Sequence, residues 1–228
     1  MERGQFEGTR YYVEIINPLN ATSLPVVIFL HGTGERSDTN LDLVLRYGPI
    51  EILRRKPNSL FPGIFVQPQL SINQSAWNID AVHRLTLHIA ATYKGDLQRL
   101  YLGGVSLGGF ALWKMLSTAR IAQSYAGAFL CSPGNIGGAT AINSVSKLIA
   151  QNKVPCWISH AKDDPHRFAK YYATEQCWKV INTTAGYAQA QLTHYGLTSH
   201  STQGAWGKFM EPENFYLWEW LKMQKKTS

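Results

Sequence analysis

At 228 residues, with 45% hydrophobic and 16% charged positions, the chain has the apolar material for one buried core, which excludes a disordered or low-complexity class. Its net charge of +7 comes from scattered basic residues; the closest cluster, Lys222, Lys225 and Lys226, reads as a solvated helix end, so no nucleic-acid partner is expected. No linker or repeat divides residues 1–228, so one domain is expected, and no apolar run is long enough for a membrane-spanning helix.

In chain order, Thr9 to Ile16 reads as a strand closed by the turn Asn17-Pro18-Leu19-Asn20, and Pro25 to Leu30 is an apolar run suited to a strand buried on both faces. The polar turn His31-Gly32-Thr33-Gly34-Glu35-Arg36 follows, then a short helix over Leu41 to Leu53 and a strand over Pro62 to Gln69. Val82, Leu85, Ile89 and Ala90 give Ile79 to Thr92 one buried helical face. Arg99 to Val105 is a strand running into Ser106, and Leu107 to Thr118 a helix. Further strands are expected over Ala126 to Cys131, Val154 to Ser159 and Ala188 to Tyr195, and further helices over Ala141 to Ala150, Phe168 to Lys179 and Pro212 to Gln224. Strands alternating with helices imply an α/β fold, a mainly parallel sheet covered on both faces, with functional groups on loops beyond the strand C-termini.

Chemistry concentrates in Gly104-Val105-Ser106-Leu107-Gly108, between strand and helix. Small residues on either side of a serine permit a sharp strand-to-helix turn that exposes the hydroxyl, and the helix start aims N–H groups at an oxyanion. A serine alcohol needs a base, and the chain order serine, acid, histidine directs the search downstream. His200, after the last expected strand, is favoured as base over His194, which a strand would fix. Asp163 and Asp164 follow the strand ending at Ser159; Asp164 is favoured because Pro165 restricts its backbone. The Leu107 N–H is the expected first oxyanion donor, and the Thr33 N–H the second, with Gly34 as the register alternative. Trp77, Trp206 and Phe209 are candidate substrate contacts near the active-face loops, with packing beneath those loops as the other reading. His31 and His160 read as packed supports, and the spacing of His and Asp residues suits no metal, so neither metal nor cofactor is expected.

Cys131, Cys156 and Cys177 cannot all pair; buried free thiols are expected, which favours a cytoplasmic location, and Met1 to Gln5 is too polar for a secretory leader. Secretion after removal of a leader is the alternative.

These residues resemble the α/β-hydrolase superfamily and, more narrowly, small esterases related to polyhydroxybutyrate depolymerases and feruloyl or acetyl-xylan esterases. The landmarks are Leu30-His31-Gly32-Thr33-Gly34-Glu35-Arg36, Val66-Gln67-Pro68-Gln69, the serine elbow, His160-Ala161-Lys162-Asp163-Asp164, and His200 followed by Trp206. Two departures stand out: Ala161 replaces a common glycine, and Ser201 to Ala205 lengthens the step from His200 to Trp206. The resemblance implies Ser106 as nucleophile, Asp164 as acid, His200 as base, and Thr33 and Leu107 at the oxyanion positions. It implies a carboxylesterase acting on small aryl, acyl or carbohydrate-linked esters through an acyl-enzyme. A serine peptidase or acyltransferase would use the same triad, and a noncatalytic ligand-binding protein on this fold is the third reading.

Overall fold

The computed structural model describes residues 1–17, 20–55, 61–186, 189–196, 205–211 and 216–226, the side chains of residues 53 and 205 excepted. Strand β3 (Leu24–Leu30) is buried along its whole length. Its side chains alternate between two cores, Val26, Ile28 and Leu30 facing one and Val27 and Phe29 the other. That alternation explains an unbroken apolar run: both faces of the sheet are covered.

Around β3 lie β1 (Glu2–Phe6), β2 (Thr9–Ile16), β4 (Gly63–Pro68), β5 (Gly95–Val105), β6 (Gly127–Cys131), β7 (Cys156–Ala161) and β8 (Ala190–Tyr195). Their order is β1-β2-β4-β3-β5-β6-β7-β8, antiparallel from β1 through β4 and parallel from β4 to β8. Helices α1 (Pro49–Arg55), α2 (Ile79–Thr92), α3 (Leu107–Ser117), α4 (Ala119–Ala122), α5 (Ala139–Asn152), α6 (Tyr171–Ala185), α7 (Ala205–Met210) and α8 (Tyr216–Met223) flank the sheet. Helices α2, α3, α5 and α6 supply Leu85, Ile89, Leu112, Leu116, Ile149 and Ile181 to the first core. Ile50 and Ile52 of α1, Phe209 of α7, and Leu217, Trp218 and Leu221 of α8 fill the second. The expected α/β architecture is the observed one.

Several boundaries move for local reasons. The helix expected over residues 41–53 divides into a 3-10 segment, Leu41–Arg46, and α1, because Gly48 turns the chain at φ 107° and Pro49 opens α1. Helix α6 starts later than expected, at Tyr171, and runs on to Ala185, where Gly186 closes it in the left-handed region. β7 extends through His160 and Ala161, which puts both inside the sheet. β1 is an addition to the expected elements; the turn Glu7-Gly8, with both φ values positive, folds it back on β2 as a hairpin. Helices α4 and α7 are further additions, and α8 covers Tyr216–Met223 of the expected final helix, of which residues 212–215 lie outside the described residues.

The three thiols are free and buried. Burial pushes Cys131 and Cys156 up to about 12 and Cys177 to about 11, so all three stay protonated at neutral pH. No helix among the described residues is long and apolar enough to cross a membrane.

Candidate active site

Strand β5 ends at Val105 and α3 begins at Leu107, which leaves Ser106 alone to make the turn, at φ 52° and ψ −110°. A non-glycine residue in that region is strained by about 1–3 kcal/mol and persists only where its surroundings hold it. Here the Ser106 N–H donates to Cys131 O at 3.1 Å, and its carbonyl accepts from the N–H of Phe110 and of Gly134, both at 2.9 Å. The glycines of the motif are steric requirements. A Cβ at Gly108 would stand 2.0 Å from Leu30 O, one at Gly109 2.7 Å from Pro133 Cα, and one at Gly104 2.8 Å from the Gly108 carbonyl carbon. The elbow is thus wedged between the ends of β3 and β6. As first residue of α3, Leu107 carries an N–H with no acceptor inside the helix.

The loop after β3 lies against the serine: a Cβ on Gly32 would sit 3.5 Å from Ser106 Cβ. Thr33 opens a one-turn 3-10 segment, Thr33–Glu35, and is exposed. His31 fixes this loop from below. Its Nδ1 lies 2.6 Å from Gly32 O, and its Nε2 accepts from the Leu70 N–H at 3.0 Å, so the proton resides on Nδ1 and the ring is neutral. Burial pushes its pKa down to about 4, in agreement with a neutral ring. Trp77 packs edge-on against His31, ring centroids 4.9 Å apart, and donates its indole N–H to His31 O at 3.3 Å. From outside, Arg36 donates to Thr33 O at 3.1 Å and Gln74 O at 3.0 Å.

On the other side of the elbow the loop after β7 carries both candidate acids. Asp163 is exposed, whereas Asp164 is 7% exposed. Asp164 Oδ2 lies 3.1 Å from His160 Nε2, and Oδ1 accepts from the His166 N–H at 2.9 Å. His160 is fully buried; its Nε2 also faces Ala169 O at 3.2 Å and its Nδ1 meets Thr174 Oγ1 at 2.8 Å. Two acceptors at Nε2 place the proton there, so His160 donates to the acid. The loop after β6 ties both halves together, since Gly134 N–H reaches Ser106 O, while Asn135 N–H donates to Phe168 O at 2.7 Å and its Oδ1 accepts from Lys170 N–H at 2.9 Å.

The candidate base His200 lies outside the described residues. Its rival His194 stands exposed in β8, opposite His160 in the register, with Nδ1 3.4 Å from Tyr171 Oη. Among the aromatic candidates, Trp77 is 7% exposed and has its described contacts with the underside of the His31 loop. Phe209 is 2% exposed and packs on Trp157 in the second core, centroids 5.6 Å apart. Trp206 packs tilted against Tyr47, ring centroids 4.6 Å and planes 53° apart, and both line a cavity of about 410 Å³ with Ile52, Met210, Arg46 and the ion-paired Arg55, Glu51 and Glu211. Glu35, Tyr47 and His160 are the polar neighbours that sequence reasoning left without a site role. An acid inside a glycine-rich turn was the available signal for Glu35; nothing local distinguishes Tyr47. Among the described residues no group of three His, Cys, Asp or Glu side chains could hold a metal ion.

No family model and no curated protein sequence matches the chain. Solved structures do match. A thermostable esterase superposes with a TM-score of 0.77 at 22% identity over 99% of this chain, which spans 63% of that protein's length. Thermogutta terrifontis esterase 2 phosphoramylated by tabun gives 0.65 at 14% identity, covering 93% of this chain and 89% of that one. The same esterase with propionate bound gives 0.65 at 13% identity, covering 97% and 92%. At these identities the likeness concerns the fold: this chain shares the architecture of α/β-fold esterases, with a positive-φ serine at its strand-to-helix elbow.

Proposed function

We propose that the chain is a serine hydrolase of carboxylic esters, with Ser106 as nucleophile, Asp164 and His200 as its relay, and the N–H groups of Thr33 and Leu107 as oxyanion donors. The observation that carries this reading is the backbone of Ser106, held at φ 52° by three main-chain hydrogen bonds and glycine-only contacts at the head of a helix. Strain of this kind is retained where it presents a side chain. The buried Asp164, oriented by two N–H donors, supports its assignment over exposed Asp163. The propionate-bound and tabun-modified states of an esterase with this fold support the reaction class.

In this mechanism Ser106 Oγ bonds to the ester carbonyl carbon while His200 takes its proton, and the resulting oxyanion is held by Thr33 and Leu107. The C–O bond to the alcohol breaks as His200 returns that proton to the leaving oxygen. Water then attacks the acyl-Ser106 carbonyl, again giving a proton to His200, and releases the acid and the serine. Asp164 orients the imidazole and stabilises its charged form. The resemblance to small esterases favours aryl, short acyl and carbohydrate-linked esters as the substrate class; the cavity beside Tyr47 and Trp206, which is lined by none of Ser106, Thr33 and Leu107, does not choose among them.

The test is turnover of p-nitrophenyl esters of graded chain length, feruloyl esters and acetylated sugars by wild type and S106A. The expected result is ester turnover that disappears in S106A while the variant still folds. Faster cleavage of matched peptide amides than of esters would make the chain a peptidase, and full turnover by S106A would remove the serine mechanism.

A further inference from the structure

Three polar groups converge where Gly32 has no side chain. A Cβ there would lie 3.5 Å from Ser106 Cβ, 3.5 Å from Tyr47 Oη and 3.7 Å from Glu35 Oε2. The serine and a hydrogen-bonded Tyr–Glu pair therefore face one another across a single glycine. Tyr47 Oη donates to the Glu35 carboxylate and accepts from the Gly32 N–H at 3.4 Å. Glu35 is 6% exposed, and loss of water raises both its carboxyl and the Tyr47 hydroxyl above their ordinary ranges. His31 Nδ1 stands 3.8 Å from Glu35 Oε2, but its proton is directed to Gly32 O. Trp206 packs against the Tyr47 ring at a tilt of 53°.

The consequence follows from peptide planarity. In a trans peptide the C=O and the next N–H point in opposite directions, so a group that fixes one fixes the other. His31 holds Gly32 O, which belongs to the same peptide plane as the Thr33 N–H. Tyr47 holds the Gly32 N–H, which belongs to the plane before it. The plane that carries the Thr33 N–H is thus clamped by His31, and the plane before it by Trp77 at the His31 carbonyl and by Tyr47 at the Gly32 N–H. The Gly32 N–H is already engaged by Tyr47, so the outward donor of this loop lies beyond Gly32, at the Thr33 N–H in the serine-hydrolase reading above. A buried carboxyl next to a flexible glycine is costly, and Glu35 offsets that cost by accepting from the Tyr47 hydroxyl and from the backbone N–H groups of Gly32 and of Glu35 itself, so it holds the glycine both directly and through Tyr47.

We propose that Tyr47, anchored by Glu35, is a positioning residue that locks the Gly32 amide so that the Thr33 N–H meets the oxyanion formed at Ser106. The proposal rests on the serine-hydrolase reading above.

The experiment compares Y47F, E35Q and E35L with wild type and S106A, using p-nitrophenyl butyrate for kcat and KM and an alkyl trifluoromethyl ketone as an inhibitor that forms an oxyanion on the serine. For Y47F the expected loss in kcat is about ten- to hundred-fold, short of removing an oxyanion donor outright, with KM within about two-fold. Affinity for the ketone should fall in step with kcat/KM. E35Q, which keeps an acceptor oxygen for Tyr47, should lose less than E35L, and this pair reads the same clamp if Y47F fails to fold. An unchanged kcat in Y47F, equal losses in E35Q and E35L, or unfolding of all three variants would overturn the proposal. S106A separates the two levels: if it is inactive while Y47F is unimpaired, only the clamp fails, and if S106A turns over normally the hydrolase reading fails with it.

Discussion

The two loops that flank Ser106 are each supported by a buried histidine at the end of a parallel strand, and the two histidines do different things. His31, after β3, spends both ring nitrogens on backbone, Gly32 O and Leu70 N–H, and so shapes a loop whose candidate chemistry is a main-chain N–H. His160, at the end of β7, directs Nε2–H to Asp164 and Ala169 O and turns Nδ1 to Thr174, and so orients a loop whose candidate chemistry is a side-chain carboxylate. The difference shows that a histidine's role at a strand end is set by what its second nitrogen reaches. One imidazole freezes a path of chain; the other aims an acid.

The acid loop gives the largest expected effect. D164N should lower kcat by on the order of 10⁴-fold, as loss of the group that orients a catalytic imidazole does, while D163N at the exposed neighbour stays near wild type. Steady-state kinetics on a p-nitrophenyl ester decide this, and the reverse ranking would move the acid to Asp163.

The next effect belongs to the other histidine and concerns stability. The fold favours neutral His31, with a pKa pushed from 6.5 to about 4, so on acidification the unfolded chain binds a proton first. Its contribution is intact above about pH 6.5 and is lost as pH falls toward 4, a change of up to about 3 kcal/mol. Thermal unfolding across that window should show a steep loss in wild type and a shallower one in H31Q. Equal slopes would mean that His31 does not carry the acid sensitivity.

The smallest effect separates the two imidazoles. H160Q should lower kcat by about ten-fold with KM little changed, because the carboxylate loses one of its donors while substrate contacts persist. If H160Q is only less stable and turns over normally, the two histidines are both scaffold and the contrast between them disappears.

How much of this was legible in the sequence depends on the range of the interactions. The elbow was readable because its determinants lie within six residues: a strand, a serine, and glycines at 104, 108 and 109 whose missing Cβ atoms admit Leu30 and Pro133. The buried run of β3 was readable for the same reason. The clamp of Glu35, Tyr47 and Gly32 was not, since the 3-10 segment and the turn at Gly48 that return Tyr47 to the loop carry no periodic signal. Asp164 could be preferred over Asp163 from Pro165, but its tie to His160 needed β7 to run two residues further than the apolar pattern indicated. Trp77 and Phe209 show that an aromatic near an active-face loop is commonly taken up by the packing beneath it.

The most direct measurement is reaction of the folded protein with a fluorophosphonate, followed by digestion and mass spectrometry of the peptide that contains the adduct. One adduct per chain on Ser106, absent from S106A, is the predicted result. An adduct on a different residue, or no adduct on a protein that hydrolyses esters, would contradict Ser106 as the nucleophile.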